Sequence, residues 1–493
     1  MQGRSTTPAL RSALAGVLAV LAGCHGPTVG EAPAGAGGSA LGGKAGTAGA
    51  GGSGSGGTAG HGTGGVGGTA GAGAAAGRGG GAGGAQGGNG GAAGASAGSG
   101  GSSGGAGTSS GGAAGSAAGA GGTAGGPVDA GPDGGNSDIV WQYLGPPGQL
   151  CGAVAVDSKR VIHVAGAEGT AGLHLRFDEN GNLLGSDDDP LAGGTSFGGV
   201  AIDPADNVYF AGTAGSGTSA QGYLRWAGVG GTTWGHTETN GVSNSAWGGA
   251  MIDSQGRIVV IGSEGVSGEP SNHFMFRRYL PNGTYDLDKV DSTVADWATG
   301  AAVDGQDNIY LSGRNHLFDS GGNSVGSTAF LTSWTAAGAS GFTDTIASKS
   351  SCGGNAPFTN GYAVTFDGAG ELWFLGIHCD HEIILRQYNS ATGSLVLNAD
   401  SPPTNGFFPT VMASDGTTLS LLGYGAWGTG GVAFELVDTD LQGKPLRTFV
   451  LGLSPTDNDR LTGVAFIGRD RIVVGTSFLS GTQRTWIARL RAP

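Results

Sequence analysis

The strongest constraint on the fold is a unit of about fifty residues, a period typical of propeller blades, that recurs from Cys151 onward. In the clearest copies Gly199-Val200-Ala201-Ile202-Asp203 precedes Asn207-Val208-Tyr209-Phe210-Ala211-Gly212, Asp253 closes a similar run before Arg257–Gly262, and Asp304 does so before Asn308–Gly313. Weaker copies pass through Asp157 and Gly166, Asp367 and Gly376, and Asp415 and Gly423. A seventh, ending at Gly475, has lost its aspartate near Ile467. Successive repeat glycines lie 46 (Gly166 to Gly212) to 63 (Gly313 to Gly376) residues apart.

Each unit has the chemistry of a small antiparallel sheet. A Gly/Ala/Val segment suits an innermost strand crowded at an axis, and an aspartate caps the tight turn that follows. The β-branched and aromatic second segment suits a strand packed on both faces. A third runs, for example, through Phe276–Leu280 into the turn signal Pro281-Asn282-Gly283, and a more polar fourth completes the sheet. The expectation is an all-β domain over 137–493: a single β-propeller of about seven four-stranded blades. The seventh unit ends at its third strand, Trp486–Leu490, while Asp138–Leu144 is strand-like and has no blade of its own. The N-terminal segment is therefore expected to complete the last blade and close the ring, leaving no raw edge. Over nearly all of 151–493 the units resemble the bacterial SBBP and delta-60 β-propeller repeats. That resemblance implies a propeller and carries no defined activity.

Ahead of the repeats the composition changes. All nine tryptophans lie at or beyond Trp141, whereas 27–136 is almost wholly Gly, Ala, Ser and Thr, with Val29, Leu41, Val66 and Val128 its only large apolar residues. Such a segment cannot bury enough surface to offset ~1–2 kcal/mol of backbone entropy per residue. It reads as a disordered tether with a reach of roughly 60 Å. It lacks the aspartates of calcium-binding glycine-rich repeats and the strict period of collagen.

The first 23 residues read as an export signal: Arg4 and Arg11, an apolar run from Ala13 to Leu21, then Leu21-Ala22-Gly23-Cys24. The run is too short to span ~30 Å of hydrocarbon. The last four residues resemble the lipobox of bacterial lipoproteins, which implies lipidation of Cys24 and a membrane anchor, with 24–136 as lipidated cysteine plus linker. His25, in place of the aspartate that retains lipoproteins at the inner membrane in the enteric rule, favours the outer membrane.

Charge limits the partners. Of 23 basic and 37 acidic residues, four and three precede residue 137, which leaves 19 − 34 = −15 on the repeat region. An acidic domain repels phosphate backbones, so nucleic acid is discounted as a partner.

Features repeated in most units are read as scaffold and departures from them as candidates for function. Arg176, Arg225, Arg278, Arg386 and Arg489 occupy similar places in five third strands, with Ser333 and Glu435 in the other two; they read as stems lying along the sheet with wet heads. Asp206 and Asp307 add second acids to two turns, short of the about six to eight oxygens calcium needs. Asp187-Asp188-Asp189 reads as a solvated turn, and Cys151 as a buried small hydrophobe.

The departures cluster in long loops, Asn315 to Gly326 and Ser348 to Gly361, and in the nearby His378-Cys379-Asp380-His381. Phe318, Asp319, Phe358, His378 and His381, with Tyr424 and Trp427 of the next unit, form the candidate binding face, because loops on a rigid scaffold carry function. Cys352 and Cys379 are expected to form a disulfide in an exported protein. His378, Cys379 and His381 lack the paired spacing of a structural zinc site, so no metal and no cofactor is assigned. There is no Gly-x-Ser-x-Gly elbow in the repeat region, no His-Glu-x-x-His and no phosphate-binding loop. The sequence favours a binding or scaffolding module for glycan or envelope protein; the alternative is a propeller hydrolase or lyase acting on extracellular polymer.

Overall fold

A computed structural model describes residues 138–492 apart from 190–193, 216–219, 229–232, 238–244, 266–271, 321–323, 349–356, 379–381, 401–406, 428–430, 452–459 and 480–481. The signal, Cys24 and the tether lie outside the described residues, as do Cys352, Cys379 and His381.

The described residues are all β and form seven four-stranded antiparallel blades. Blade 1 comprises Gln149–Val156, Ile162–Glu168, Ala171–Phe177 and Leu183–Asp189, counted from the axis outward. The innermost strand of each blade packs against those of its neighbours, and blade 7 meets blade 1, so the ring closes. One continuous strand, Tyr285–Val303, is the fourth of blade 3 and then the first of blade 4.

Closure occurs as the strand count requires. Ile139–Pro147 pairs with Thr482–Leu490, Trp141 opposite Arg489 and Tyr143 opposite Ile487, and becomes the fourth strand of blade 7. It also bridges to blade 1: Trp141 and Tyr143 pack on Phe177, and Trp141 Nε1 donates to Glu179 O at 3.0 Å.

The repeated aspartate does more than close its turn. In blades 1 to 5 its Oδ1 accepts the backbone N–H groups two and four residues on, as Asp203 does from Ala205 and Asn207. Its Oδ2 takes a donor six residues on: Tyr209 on Asp203 (3.1 Å), Tyr310 on Asp304 (2.9 Å), Trp373 on Asp367 (3.0 Å) and, more loosely, His163 on Asp157 (3.5 Å). In blade 3 the sixth residue is Val259, and Arg257 Nε donates to Asp253 instead. Between Asp and donor comes a left-handed position, filled by Arg160, Asp206, Gly256, Asp307 and Gly370, which glycine adopts freely and aspartate tolerates.

Asp206 and Asp307 are clips between blades. Asp206 accepts from Ser158 N and Oγ of blade 1, and Asp307 from Ser254 N and Arg257 of blade 3.

Two sequence assignments are corrected. Leu183–Asp189 is a strand, because Asp187 and Asp189 find cationic partners in Arg176 and Arg225. The third-strand arginines do not share one register. Arg176, Arg278 and Arg489 align with Trp226, opposite the donor position, whereas Arg225 and Arg386 stand one residue earlier, on the other side of their sheets. Glu435 belongs to neither set: it faces Gly423, where other blades place Leu173, Tyr223, Met275, Phe330, Ile384 and Trp486.

Candidate functional site

Strands alternate in direction, so loops between blades and between second and third strands share one face, and the aspartate turns occupy the other. On the first face the inner strands begin with a bulge, which sets two residues per strand at the mouth of the axis. In blades 1 to 3 these are small or aliphatic: Leu150 and Gly152, Ser196 and Gly198, Ala246 and Gly248. In blades 4 to 7 they are Trp297 and Thr299, Asn360 and Tyr362, Phe408 and Thr410, Arg460 and Thr462. The mouth is therefore lopsided, with its polar and aromatic groups on one half.

Within that half the rings and cations interlock. Phe408 stacks on Tyr424 (centroids 5.1 Å apart, 17° between planes), Tyr362 meets Phe408 edge-on at 5.9 Å, and the Arg460 guanidinium lies 5.7 Å from the centre of the Tyr424 ring. Across the arc Arg314 lies over Trp297 at 5.3 Å, and its Nε is buried with no acceptor among the described residues. Asn360 accepts from Ser327 Oγ and donates to the Tyr362 hydroxyl. Burial, then the nearby Tyr362 hydroxyl, push the Tyr424 phenol up to about 12, so both hydroxyls stay protonated and can donate. Half-buried aromatic faces beside guanidinium and amide groups combine apolar contact with fixed hydrogen bonding, as ligand sites require.

Of the sequence candidates, Tyr424 lies in this arc. Trp427 ends the same strand, Thr418–Trp427. Phe318 lies elsewhere: the segment read as a loop from Asn315 is largely a hairpin, with Ile309–Phe318 paired to Ser324–Trp334 as far as Phe318 opposite Ser324. Phe318 packs edge-on to His316, and Asp319 is exposed at the hairpin tip. Phe358 is half-buried and bridges to Ser327 at the base of that hairpin. His378 is no surface ligand: it is buried, and its Nδ1 is 2.8 Å from Thr359 Oγ1. Sequence reasoning missed Trp297, Arg314, Tyr362, Phe408 and Arg460, although the shared place of all but Arg314 on the inner strand, ahead of the repeat glycine, was a usable signal.

Elsewhere the chemistry is spare. Toward the aspartate turns the inner strands of blades 2 to 5 line a small space of about 50 Å³, with Ala201, Met251, Ala301 and Val364 among its walls. The described residues contain no cluster of three or more His, Cys, Asp or Glu able to hold a metal ion. Cys151 is buried, with burial pushing its thiol up to about 11 and its Sγ–H donating to Gly475 O, which suits a packed and unreactive residue.

No protein-family model matches the chain, and no curated protein matches it. Solved structures do. An ulvan lyase described as a new family of polysaccharide lyase, PL25, aligns with a TM-score of 0.50 at 11% identity over 71% of this chain and 94% of its own. YCF48 bound to a D1 peptide aligns at 0.42 and 10% identity, over 71% and 95%. A gluconolactonase from Xanthomonas campestris aligns at 0.36 and 13%, over 71% and 90%. The chain is a β-propeller. At such identities the likeness is one of fold, and the fold hosts many functions.

Proposed function

We propose that the protein is an exported lipoprotein, anchored through Cys24 and held off the membrane by its Gly/Ala tether, whose propeller binds glycan at the mouth of the axis. The observation that carries this reading is the half-ring of Trp297, Tyr362, Phe408 and Tyr424 interleaved with Arg314, Asn360 and Arg460. Flat rings offer apolar faces to sugar C–H groups while guanidinium, amide and phenol groups take the hydroxyls. Display from a membrane, which the lipobox and tether support, suits a module that captures a polymer outside the cell.

Polymer cleavage on the same face is the competing reading. From Trp297 to Val303, and along the other six inner strands, there is no carboxylate or imidazole to move a proton, so binding without turnover is favoured.

The test is titration of the full chain with envelope and extracellular oligosaccharides, with product release followed in parallel. Tyr424→Ala and Tyr362→Ala should each weaken binding about tenfold or more, the scale of losing one stacked ring. Unaltered binding in both variants overturns the site; turnover abolished by one acidic substitution overturns the binding role.

A further inference from the structure

On the opposite face a cavity of about 720 Å³ opens between blades 1 and 2, within the roughly 300–1,000 Å³ of small-molecule sites. Its walls include Val161, Leu184, Val208 and Phe210 on the apolar side and His163, His174, Arg176 and Asp187 on the polar side. His174 is a departure from the repeat. The same third-strand register holds Leu224, Phe276, Leu331, Leu385, Leu436 and Ile487 in the other six blades. An imidazole replaces an aliphatic or aromatic core residue only here.

The proton count along this chain of groups is informative. The link from His163 Nε2 to Asp157 is blade 1's version of the repeated donor-to-aspartate pair. It uses the Nε2–H of His163 and leaves Nδ1 as a lone pair. That lone pair faces His174 Nε2 at 3.0 Å, which must then carry the proton. His174 is held neutral, its pKa pushed down to about 2 by burial, then by His163, Arg176 and Arg225. Its remaining nitrogen, Nδ1, is thus an acceptor, and it faces another acceptor, Asp187 Oδ2 at 3.6 Å. With Nε2–H of His163 turned to Asp157 and Nε2–H of His174 turned to His163, no imidazole N–H is left for the third link, which is the long one.

We propose that this cleft is a second ligand site, for a neutral sugar-sized molecule whose vicinal diol donates one hydroxyl to His174 Nδ1 and the other to Asp187. A diol supplies the protons that the two facing acceptors lack. Arg176 stands beside them in the cleft wall, its terminal nitrogen 3.3 Å from Asp187 and its side chain partly exposed, so the guanidinium can donate to the ligand's oxygens. Neutrality follows from the lining: Lys159, Arg176 and Arg225 are set against Asp157, Asp187, Asp188 and Asp206. Three cations against four carboxylates do not attract a phosphate or a uronate.

The experiment is calorimetric titration of the full chain with neutral hexoses and disaccharides, their deoxy analogues lacking one hydroxyl of the diol, and glucuronate. His174→Leu installs the residue of four other blades, so the variant should fold and gain thermal stability. The expected result is binding of a neutral diol sugar that falls tenfold or more in His174→Leu and with the deoxy analogue, and that persists in Tyr424→Ala. Persistence in Tyr424→Ala separates this cleft from the axial mouth. Absence of neutral-sugar binding here, equal binding by His174→Leu, or a preference for glucuronate overturns the proposal. Nitrogen-15 NMR provides a check independent of ligand: a proton on His174 Nδ1 in the free protein would refute the acceptor assignment.

Discussion

Removing residues 137–146 while leaving the tether in place should destroy the cooperative stability of the propeller. Trp141 and Tyr143 are 8% and 5% exposed. Rings of this kind bury ~150–250 Å² each, which at ~25 cal/mol per Å² is ~4–6 kcal/mol per ring. Together they reach ~8–12 kcal/mol, an upper figure because the unfolded chain already hides some of that surface. A folded domain has only ~5–15 kcal/mol in total, so the loss is comparable with the whole. The deletion also strips the pairing partner from Thr482–Leu490 and exposes its edge to other chains. Circular dichroism melts should show early, poorly cooperative unfolding, and size-exclusion chromatography should show association. A synthetic 137–147 peptide added in trans should restore part of the melting temperature. The milder Tyr143→Ala should cost ~3–5 kcal/mol by analogy with other buried aromatic truncations. A deletion variant that stays monomeric with an unchanged melting temperature would refute closure as the source of stability.

Three further outcomes are expected, two of them from wholly or partly buried groups that depart from the repeat. Burial pushes the Glu435 carboxyl up from its ordinary 4.5 to about 7. The folded state therefore holds the proton more tightly than the unfolded one, and stability falls as pH rises from about 4.5 through about 7. Glu435→Gln should flatten that slope in melts across the window, and identical slopes would contradict the assignment. Arg471, fully buried where other blades carry Ile, Val or Leu, lies 3.2 Å from the fully buried Asp438; Arg471→Met should cost ~3–5 kcal/mol in urea denaturation, with part regained by adding Asp438→Asn. A loss below ~1 kcal/mol would mean that Arg447 and Ser420, both 2.6 Å from Asp438, satisfy it alone. Mass spectrometry of unreduced peptides should recover a Cys352–Cys379 linkage, and free thiols at both positions would remove it.

The propeller was legible because the repeat marks the turn and the two inner strands of each unit, the parts whose geometry is fixed by the backbone. Counting strands from Trp486 to the chain end was enough to anticipate the closing strand. The outer half of each blade was less readable, since its sequence varies and tertiary contacts decide its fate. Asp187-Asp188-Asp189 has the composition of a turn, yet it pairs with Ala171–Phe177 because Arg176, Arg225 and Tyr223 meet its side chains. The third-strand arginines show the larger cost of a small misalignment. Treating Arg225 and Arg386 as equivalent to Arg176 shifts two blades by one residue, and in a strand one residue exchanges the two faces. Glu435 was set beside the arginines although Asp438, three residues on, holds that register in its blade, and only the true register shows Glu435 as an acid in an apolar place. The aspartate turns concealed a second rule, the Tyr, Trp or His six residues on, which was present in the sequence as a pattern without an assigned partner.

Correct register also separates scaffold from site. His163 and Asp157 need no catalytic role, because Tyr209, Tyr310 and Trp373 hold the equivalent aspartates of other blades in the same way. The repeat accounts for His163 and Asp157 as a turn brace and leaves His174 unexplained by structure alone. At the opposite face the same comparison leaves the mouth residues of blades 4 to 7 unexplained, because Leu150, Ser196 and Ala246 serve the inner strands of blades 1 to 3 equally well. A buried imidazole in an apolar stripe and a half-ring of aromatics where small residues suffice each cost stability or solubility without improving the scaffold. That cost is expected where ligands are held, which is why two sites on two faces account for the exceptions better than one.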